Sequence, residues 1–327
     1  MKQILAALEA KKQRLDAYQP LSATLVHNLE EWFKIELTYT SNAIEGNTLS
    51  RAETALIVDK GLTVEGKTLT EHLEAVNHAQ ALMYLSTLKN LKKSDLTQHH
   101  LLELHRLILQ KIDDANAGRY RSVSVRIAGS RAIMPTPMKV PHLMDEFMTW
   151  LTKAQGNELM IAADAHFRFV SIHPFTDGNG RTARLLMNLV LMQAGFPPAI
   201  IRKEDRKRYI DSIEAGQLGK SLNDYYQLLF ESVDRSLDIY LDSVEQKEKT
   251  DVITDKKQIK IGELATLVGE SVPTIRHWTK EGLLAVAARS PGGYQLYDLS
   301  QVGIIKKIKK LQEKRFTLAE IKKSLNT

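Results

Sequence analysis

The chain has 327 residues, a net charge of +6 and 43% hydrophobic residues, which is enough for two or three domains and a core that can hold a rigid site. It contains no cysteine, so disulfides and thiolate metal sites are excluded and a reducing compartment is favoured. The N-terminal apolar run is short and interrupted by Glu9, and no later stretch could cross a bilayer. We therefore expect a soluble, cytoplasmic protein that does not contact membranes.

The positive charge is concentrated in the C-terminal tail. Residues 256–327 contain fourteen Lys and Arg against six Asp and Glu, so this segment carries +8 and the preceding 255 residues carry −2. A basic tail on a near-neutral body indicates that only the tail is suited to nucleic acid. A solvated, lysine-rich helical surface would give the same charge, and charge alone favours this second interpretation.

The first 245 residues have mainly the pattern of helices, because apolar residues recur at spacings of three and four. The polar segment 242–257 lacks this periodicity and predicts a helix end, a linker and a domain boundary near residue 255. The expected regions are an N-terminal helical region over 1–94, a helical core over 95–245, a linker over 246–256 and a small domain over 257–327.

One segment interrupts the helical pattern. Residues 119–135 alternate at Val123, Val125 and Ile127 before a turn at Gly129, which predicts a β-hairpin. A lone hairpin is not expected to form the core of a helical domain, so we interpret this segment as a surface flap.

Residues 173–184, HPFTDGNGRTAR, concentrate residue types that bind phosphate. Gly178, Asn179 and Gly180 directly precede a helical run, so their backbone N–H groups can converge on an anion with the help of the helix dipole. This feature alone is common and would not identify a site.

Four side chains strengthen the signal. Arg181 and Arg184 lie three positions apart on one side of the helix, where both can bind phosphate oxygens. Asp177 supplies an oxygen ligand where Mg²⁺ would bridge phosphates, and His173 can act as a general base at neutral pH. The combination within twelve positions, rather than any single residue, indicates an active site.

This segment matches the motif of the Fic family, HPFx(D/E)GNGRxxR, at every specified position, and the chain resembles Fic proteins over roughly residues 20–235. The resemblance implies a mainly α fold: a helical core with a β-hairpin flap, followed here by a small winged helix-turn-helix domain. It also implies an enzyme that transfers AMP from Mg·ATP to a Ser, Thr or Tyr hydroxyl of another protein, with ATP and Mg²⁺ required.

The same resemblance assigns roles to individual residues. His173 would deprotonate the target hydroxyl, and Asp177 would hold Mg²⁺ against the α- and β-phosphates. The amides of Gly178–Gly180 together with Arg181 would grip the phosphate chain, and Arg184 would position the γ-phosphate.

Two further assignments follow from the resemblance. The segment 119–135 corresponds to the flap that holds a segment of the target protein by strand-like pairing. Tyr209 lies where Fic proteins place aromatic contacts to the nucleoside, although this chain has Tyr209-Ile210 where many have two tyrosines. His166, two helical turns before His173, is expected to have a structural role.

Residues 41–47, SNAIEGN, predict the end of a helix with Glu45 in its last turn. A carboxylate is unfavourable at that end of the helix dipole, so a basic partner would help it. The run matches the inhibitory motif of Fic proteins, (S/T)xxxE(G/N), through Ser41, Glu45 and Gly46. The resemblance implies that Glu45 pairs with Arg184 and keeps it from the γ-phosphate, so the wild-type protein is autoinhibited. Some Fic proteins with this glutamate remove AMP, so de-AMPylation remains an alternative.

The tail resembles the MerR winged-helix DNA-binding domain through IGELA, TIRHWTKEGLL, GGYQLY and FTLAEI. Residues 259–284 predict a helix-turn-helix, residues 290–297 a wing hairpin, and residues 299–311 and 318–325 two amphipathic helices.

Two departures affect the DNA-binding interpretation. Gln295 replaces the usual arginine after the wing tyrosine, and the chain ends at Thr327, before the long helix by which MerR regulators dimerise. DNA binding is then expected only if the Fic domain supplies a homodimer; otherwise the tail would recruit a target protein. A further alternative is a DNA-binding regulator that uses the Fic domain as a nucleotide sensor.

Overall fold

A computed structural model describes residues 1–254, 258–289, 295–313 and 316–325 of the chain. Contacts divide the chain into two compact units, over 1–242 and 243–327. The helices are α1 (Lys2–Asp16), α2 (Ala23–Glu45), α3 (Arg51–Lys60), α4 (Leu69–Leu88), α5 (Gln98–Leu109), α6 (Val140–Lys153), α7 (Glu158–Ile172), α8 (Asn179–Gln193), α9 (Arg206–Gln217), α10 (Asn223–Thr254), α11 (Ile261–Val268), α12 (Val272–Lys280), α13 (Gln301–Glu313) and α14 (Leu318–Leu325). The strands are β1 (Gln258–Lys260), β2 (Ala288–Arg289) and β3 (Gln295–Asp298).

Helix α8 forms the centre of the first unit. All of its residues from 181 to 191 are buried, as expected for a helix that other helices enclose on every side. Helix α7 packs along α8, and α2, α4 and α5 contact it as well. The motif at residues 173–184 therefore includes the connection between α7 and α8 and the first turns of α8, with α2, α4 and α5 close by.

Local capping fixes where the neighbouring helices begin and end. Gly46 follows α2 in the left-handed conformation (φ 107°), which favours glycine and places Glu45 as the last residue of the helix. Ser50 and Glu53 exchange side-chain and backbone hydrogen bonds in a capping box that starts α3.

The predicted β-hairpin over 119–135 is wrong, since the structure contains no strand in this segment. The guanidinium of Arg121 donates to the carbonyl oxygens of Val123 (3.0 Å) and Pro135 (2.6 Å), so a side chain bridges the two arms instead of a backbone ladder. The turn is present, with the Ser130 N–H donating to the Ile127 carbonyl. The segment is therefore an irregular flap.

Helix α10 continues to Thr254, through most of the segment 246–256 that the sequence indicates as a linker. This part of the chain is rich in Glu, Gln and Lys, which are good helix formers even without an apolar face. No helix within the described residues is both long and apolar enough to span a membrane.

The second unit contains a three-stranded antiparallel sheet in the order β1-β3-β2, with Ile259 opposite Tyr297. Helices α11 to α14 pack with the sheet around an apolar core that includes Ile275, Trp278 and Ile305. Strands β2 and β3 pair as the predicted wing requires, whereas its glycine turn lies outside the described residues. The predicted helix-turn-helix corresponds to α11 and α12.

Candidate active site

Helix α7 ends at Ile172, and the next residue, His173, adopts the left-handed conformation (φ 51°, ψ 59°). This region is unfavourable for a residue with a side chain, by about 1–2 kcal/mol. Pro174 then removes the N–H group with which a helix would continue. The chain therefore turns sharply, and residues 173–178, here called the motif loop, lead to Gly178, whose own left-handed conformation precedes α8.

The motif loop is held by neutral side chains that bond to its backbone. The Asn179 side chain accepts from the Phe175 N–H and donates to the Phe175 carbonyl, both at 2.9 Å. The Gly118 N–H donates to Nδ1 of His105, so Nε2 of that ring donates to the Asp177 carbonyl at 3.0 Å. Burial lowers the pKa of His105 to about 4, which keeps the ring neutral. The His105 ring also stacks on Phe175.

The ring of His173 is oriented as a proton acceptor. Its Nδ1 donates to the Val170 carbonyl at 3.3 Å, so Nε2 of the neutral ring carries a free electron pair. Burial lowers the pKa of His173 below its ordinary value, which favours this neutral form. Arg121 fixes the backbone here, because its Nε donates to the His173 carbonyl (2.8 Å) and its N–H to the Pro174 carbonyl (2.9 Å).

The first turn of α8 presents backbone N–H groups that no helical carbonyl can accept, a geometry that suits an anion. Arg181 leaves this turn with only 3% of its side chain exposed and contacts two carboxylates. Its Nη1 donates to Glu74 Oε1 at 2.9 Å, and its Nη2 donates to Asp177 Oδ2 at 3.0 Å. The guanidinium is thus fixed beside the helix N-terminus.

Asp177 fits the predicted magnesium ligand. Its side chain is 67% exposed, and its carboxylate lies beside the N-terminus of α8. No group of three His, Asp or Glu side chains within the described ranges could hold a metal ion by itself. Mg²⁺ is usually bound by one or two carboxylates together with substrate phosphates, so a single acid at an anion site is the expected protein contribution.

Arg184, one turn further along α8, is 5% exposed and contacts α2. Its Nε donates to Ser41 Oγ at 2.9 Å, and its Nη2 donates to the Ser41 carbonyl at 3.0 Å and to Glu45 Oε1 at 2.6 Å. Burial lowers the pKa of Arg184, but the Glu45 charge and the hydrogen bonds more than offset this effect and raise it overall. The arginine that was predicted to bind a phosphate therefore holds the end of α2.

Glu45 also covers the start of α8. A Cβ atom added to Gly180 would collide with Glu45 Oε1, so the carboxylate lies directly against this glycine. The carboxylate thus occupies space beside the amides that were predicted to bind an anion.

Two contacts that the sequence analysis missed also hold the α2 end, here defined as residues 41–47. Nε of Arg206 donates to the Ile44 carbonyl at 2.6 Å, across 162 positions of sequence. The Asn47 side chain donates to Glu74 Oε2 at 2.8 Å, so the carboxylate of Glu74 serves both the α2 end and Arg181. No local sequence signal marks Glu74 or Arg206, because both act across long separations.

Tyr209 lies on the inner side of Arg184, with 1% of its surface exposed. Its hydroxyl contacts His166 Nε2 at 2.7 Å and accepts from Arg184 Nη1 at 3.5 Å. The structure therefore brings Tyr209 to the predicted site through Arg184, and its ring offers almost no accessible surface. His166 has 0% exposed surface.

In the second unit, Ser271 caps the N-terminus of α12 by accepting from the Thr274 N–H. Ile275 and Trp278 are buried in the core of this unit, which leaves Arg276 and other polar residues of α12 exposed. An exposed basic face on the second helix of a helix-turn-helix is the geometry that contacts DNA in such domains.

Family models match both units. Residues 95–191 match the Fic/DOC family, and residues 259–327 match the MerR HTH family of regulatory proteins. The first match contains the whole motif at residues 173–184, and the second contains the helix-turn-helix.

Among curated proteins, the chain is similar to a protein named protein adenylyltransferase Fic from Culex quinquefasciatus, with 37% identity over 237 residues, covering 72% of this chain and 47% of the relative. The chain spans about half the length of the curated relatives it matches.

Among solved structures, Fic-1 (residues 134–508) from C. elegans has a TM-score of 0.68 at 30% identity, covering 75% of this chain and 73% of the other. A Fic domain containing signaling protein from Bacteroides thetaiotaomicron has a TM-score of 0.66 at 30% identity, covering 74% of this chain and 97% of the other.

Proposed function

The chain belongs to the Fic/DOC family, and on this premise we propose that it is a protein adenylyltransferase that carries AMP from Mg·ATP to a hydroxyl of a target protein. The observation that carries the proposal is the arrangement at the start of α8. A neutral imidazole, an exposed carboxylate, a glycine-rich helix N-terminus and two fixed guanidiniums lie within residues 173–184.

The proposed reaction is an in-line transfer. Nε2 of His173 accepts the proton of the target hydroxyl, whose oxygen forms a bond to the α-phosphorus of ATP while the bond to pyrophosphate breaks. The α8 amides and Arg181 bind the phosphate chain, and Arg184 positions the γ-phosphate once Glu45 is displaced. Asp177 would hold Mg²⁺, which would neutralise phosphate charge when bound.

We further propose that Glu45 inhibits AMP transfer, so that the wild-type protein is nearly inactive. The ion pair between Glu45 and the buried guanidinium of Arg184, at 2.6 Å, supports this, as does the position of the carboxylate against Gly180. ATP would then bind poorly or unproductively until the α2 end gives way.

The test of both proposals is to incubate Glu45→Gly protein with α-labelled ATP, Mg²⁺ and a cell lysate. We expect labelled proteins that are absent when Glu45→Gly is combined with His173→Ala, and at most weak labelling by the wild type. Equal labelling by wild type and Glu45→Gly would contradict the inhibition. Release of AMP from target proteins that already carry AMP, with no transfer from labelled ATP, would instead favour the de-AMPylase alternative.

We propose that the flap at residues 119–135 holds the target segment. Arg121 ties the flap to the backbone of His173, and the side chains of Val123 and Ile133 are 55% and 84% exposed. Substitution of Ile133→Asp in the Glu45→Gly protein should lower target labelling and leave the Kd for ATP unchanged. A parallel loss of ATP binding would contradict a role confined to the target.

For the second unit we propose DNA binding, chiefly through phosphates. The match to the MerR family and the exposed Arg276 on α12 support it. Gln295 accepts from the Tyr297 hydroxyl at 2.9 Å, an internal contact that replaces the usual basic residue. A gel shift with the full chain should weaken steeply with salt and further with Arg276→Glu. Absence of a shift at low salt would favour recruitment of a target protein by this unit.

A further inference from the structure

A buried row of hydrogen bonds leads away from the inner side of Arg184. Nη1 of Arg184 donates to the Tyr209 hydroxyl (3.5 Å), which contacts His166 Nε2 (2.7 Å). Nδ1 of His166 contacts the Tyr225 hydroxyl (2.8 Å), which donates to the carbonyl of Ala163 (2.8 Å). The row joins α8 to α9, α7 and α10, and each of its four residues is at most 5% exposed.

The direction of every proton in this row is determined. The Tyr225 hydroxyl has one proton and gives it to the Ala163 carbonyl, so it must accept from Nδ1 of His166. Burial, with the nearby charge of Arg184, lowers the pKa of His166 to about 3, so the neutral ring has a free electron pair on Nε2. Tyr209 therefore donates to His166, and its oxygen is left to accept from Arg184.

The partners of Arg184 fall into two groups. Among the described residues, three of its acceptors belong to the α2 end: Ser41 Oγ, the Ser41 carbonyl and Glu45 Oε1. The fourth acceptor of Arg184 among the described residues is the Tyr209 hydroxyl, which lies on α9. The ring of Tyr209 also lies 6.0 Å from the guanidinium carbon. Of these four acceptors, only the Tyr209 hydroxyl would remain if the α2 end withdrew.

We propose that Tyr209, His166 and Tyr225 are positioning residues that keep the guanidinium of Arg184 in place after the α2 end releases it. This inference rests on the proposed function, in which Arg184 receives the γ-phosphate. It assigns Tyr209 to Arg184 instead of the nucleoside, and it gives His166 a directed role in place of a general structural one. A preset guanidinium loses less conformational freedom when the nucleotide binds.

The test compares ATP with AMP, because only ATP has the γ-phosphate. In the Glu45→Gly protein, Kd for each nucleotide is measured by calorimetry with and without Tyr209→Phe, which removes one hydroxyl. We expect the variant to weaken ATP binding about three- to tenfold, the range for one hydrogen bond, and to leave AMP binding unchanged. Equally weaker binding of ATP and AMP would indicate that Tyr209 contacts the nucleoside and would overturn the inference. Unchanged binding of both nucleotides would also overturn it.

Tyr226→Phe is the matched control. The Tyr226 hydroxyl donates to Asp164 at 2.6 Å, so the variant also removes one tyrosine hydrogen bond on α10, away from Arg184. It should leave both dissociation constants unchanged. An effect equal to that of Tyr209→Phe would mean that general loosening of these helices, rather than the row, weakens ATP binding.

His166 offers a second test with two substitutions of different reach. In His166→Gln the side-chain amide extends to the position of Nε2 and can accept from Tyr209, whereas in His166→Asn it reaches only the position of Nδ1. We expect Gln to retain more ATP affinity than Asn in the Glu45→Gly protein. The reverse order would contradict the direction assigned to the row.

The inference also has a readout that does not require nucleotide binding. The Nη–H resonances of Arg184, assigned by comparison with Arg184→Lys, are recorded in Glu45→Gly protein without ligand, because Nη1 is the group that donates to Tyr209. We expect slow solvent exchange of these protons, and exchange at least severalfold faster with Tyr209→Phe. If ATP failed to bind Glu45→Gly at all, the proposed function would fall, while this measurement would still decide whether Tyr209 holds Arg184.

Discussion

The motif loop and the α2 end both contact the first turns of α8, yet different kinds of bond hold them. The Asn179 amide and the neutral His105 ring bond to the backbone of the motif loop, and Arg121 adds a bond to the His173 carbonyl. The guanidiniums of Arg184 and Arg206 bond to the α2 end, and the Asn47 amide joins it to Glu74, which also binds Arg181. A phosphate can compete for a guanidinium but has no means to replace a buried amide-to-backbone bond.

This difference distinguishes the motif loop, which is proposed to stay fixed, from the α2 end, which is proposed to move. The groups that bond to the backbone of the motif loop are not the groups that are proposed to bind ATP. The α2 end, which is proposed to inhibit, is bonded to Arg184, the same guanidinium that is proposed to bind ATP. Nucleotide binding and inhibition therefore oppose each other directly. Five predictions test this contrast, ordered by expected effect on the transfer rate.

The largest effect is expected from Asn179→Ala, which leaves the Phe175 N–H and carbonyl without their buried partner. The free energy of unfolding should fall by about 2–4 kcal/mol, and transfer by the Glu45→Gly protein by about a hundredfold as the loop shifts. Chemical denaturation and labelling rates measure the two effects. Asn188→Ala is the control, because Asn188 makes the same pair of bonds to Ala199 elsewhere on α8. It should lose stability and retain transfer per folded molecule.

Next is Glu45→Gln, which retains the shape of the side chain but loses its charge. A neutral acceptor bonds a guanidinium about half as strongly, so transfer should rise about tenfold over the wild type and remain below Glu45→Gly. Labelling rates of the three proteins give the order. A rate equal to that of the wild type would mean that shape, not charge, maintains inhibition.

Arg206→Gln should release the α2 end partly, because the Ile44 carbonyl loses a charged donor at 2.6 Å. We expect transfer to rise about fivefold, which corresponds to about 1 kcal/mol. Arg208→Gln, on the same helix, removes a pair with Glu231 that does not touch α2 and should have no effect on rate. Equal rates in the two variants would exclude Arg206 from inhibition.

A smaller rise is expected from Ser41→Ala. Nε of Arg184 loses the Ser41 hydroxyl, while Nη2 keeps the backbone carbonyl and Glu45. Transfer by otherwise wild-type protein should increase about two- to threefold. A decrease would indicate that Ser41 supports the active arrangement instead of the inhibited one.

The smallest effect concerns pH. On the proposed function the neutral form of His173 is the base, and burial lowers the pKa of His173 below the ordinary value near 6.5. Activity should therefore be lost only as the pH falls below that lowered pKa, and the transfer rate of Glu45→Gly should change less than about twofold between pH 8 and pH 6.5. A midpoint above pH 6.5 in the pH–rate profile would contradict this assignment.

The sequence predicted the site better than it predicted the contacts that support it. His173, Asp177, Arg181 and Arg184 form one continuous motif, so local spacing is enough to bring them to one helix N-terminus. Pairing of Glu45 with Arg184 was expected only from the family motif, since 139 positions separate them and no local pattern links them. Glu74 and Arg206 have no motif, and only the fold shows what they contact.

In the flap, a local sequence pattern predicted strands that the fold does not contain. Alternation at Val123, Val125 and Ile127 is a valid strand pattern, but such a pattern reports which faces are apolar and not which groups satisfy the backbone. In the fold, the Arg121 side chain takes carbonyls of both arms, so no ladder forms. Tyr209 is similar, because its position in the sequence suggested a ligand contact while its burial places it behind Arg184.

Because Gly180 has no side chain, it leaves a space that either the Glu45 carboxylate or, on the proposed function, the phosphates of ATP can fill. The missing side chain makes room for the carboxylate of Glu45, and on the proposed function the same room admits the phosphates of ATP. On the proposed function the two compete for this space, so each weakens the binding of the other. A substitution that strengthens the contact between Glu45 and Arg184 would therefore lower the affinity for ATP.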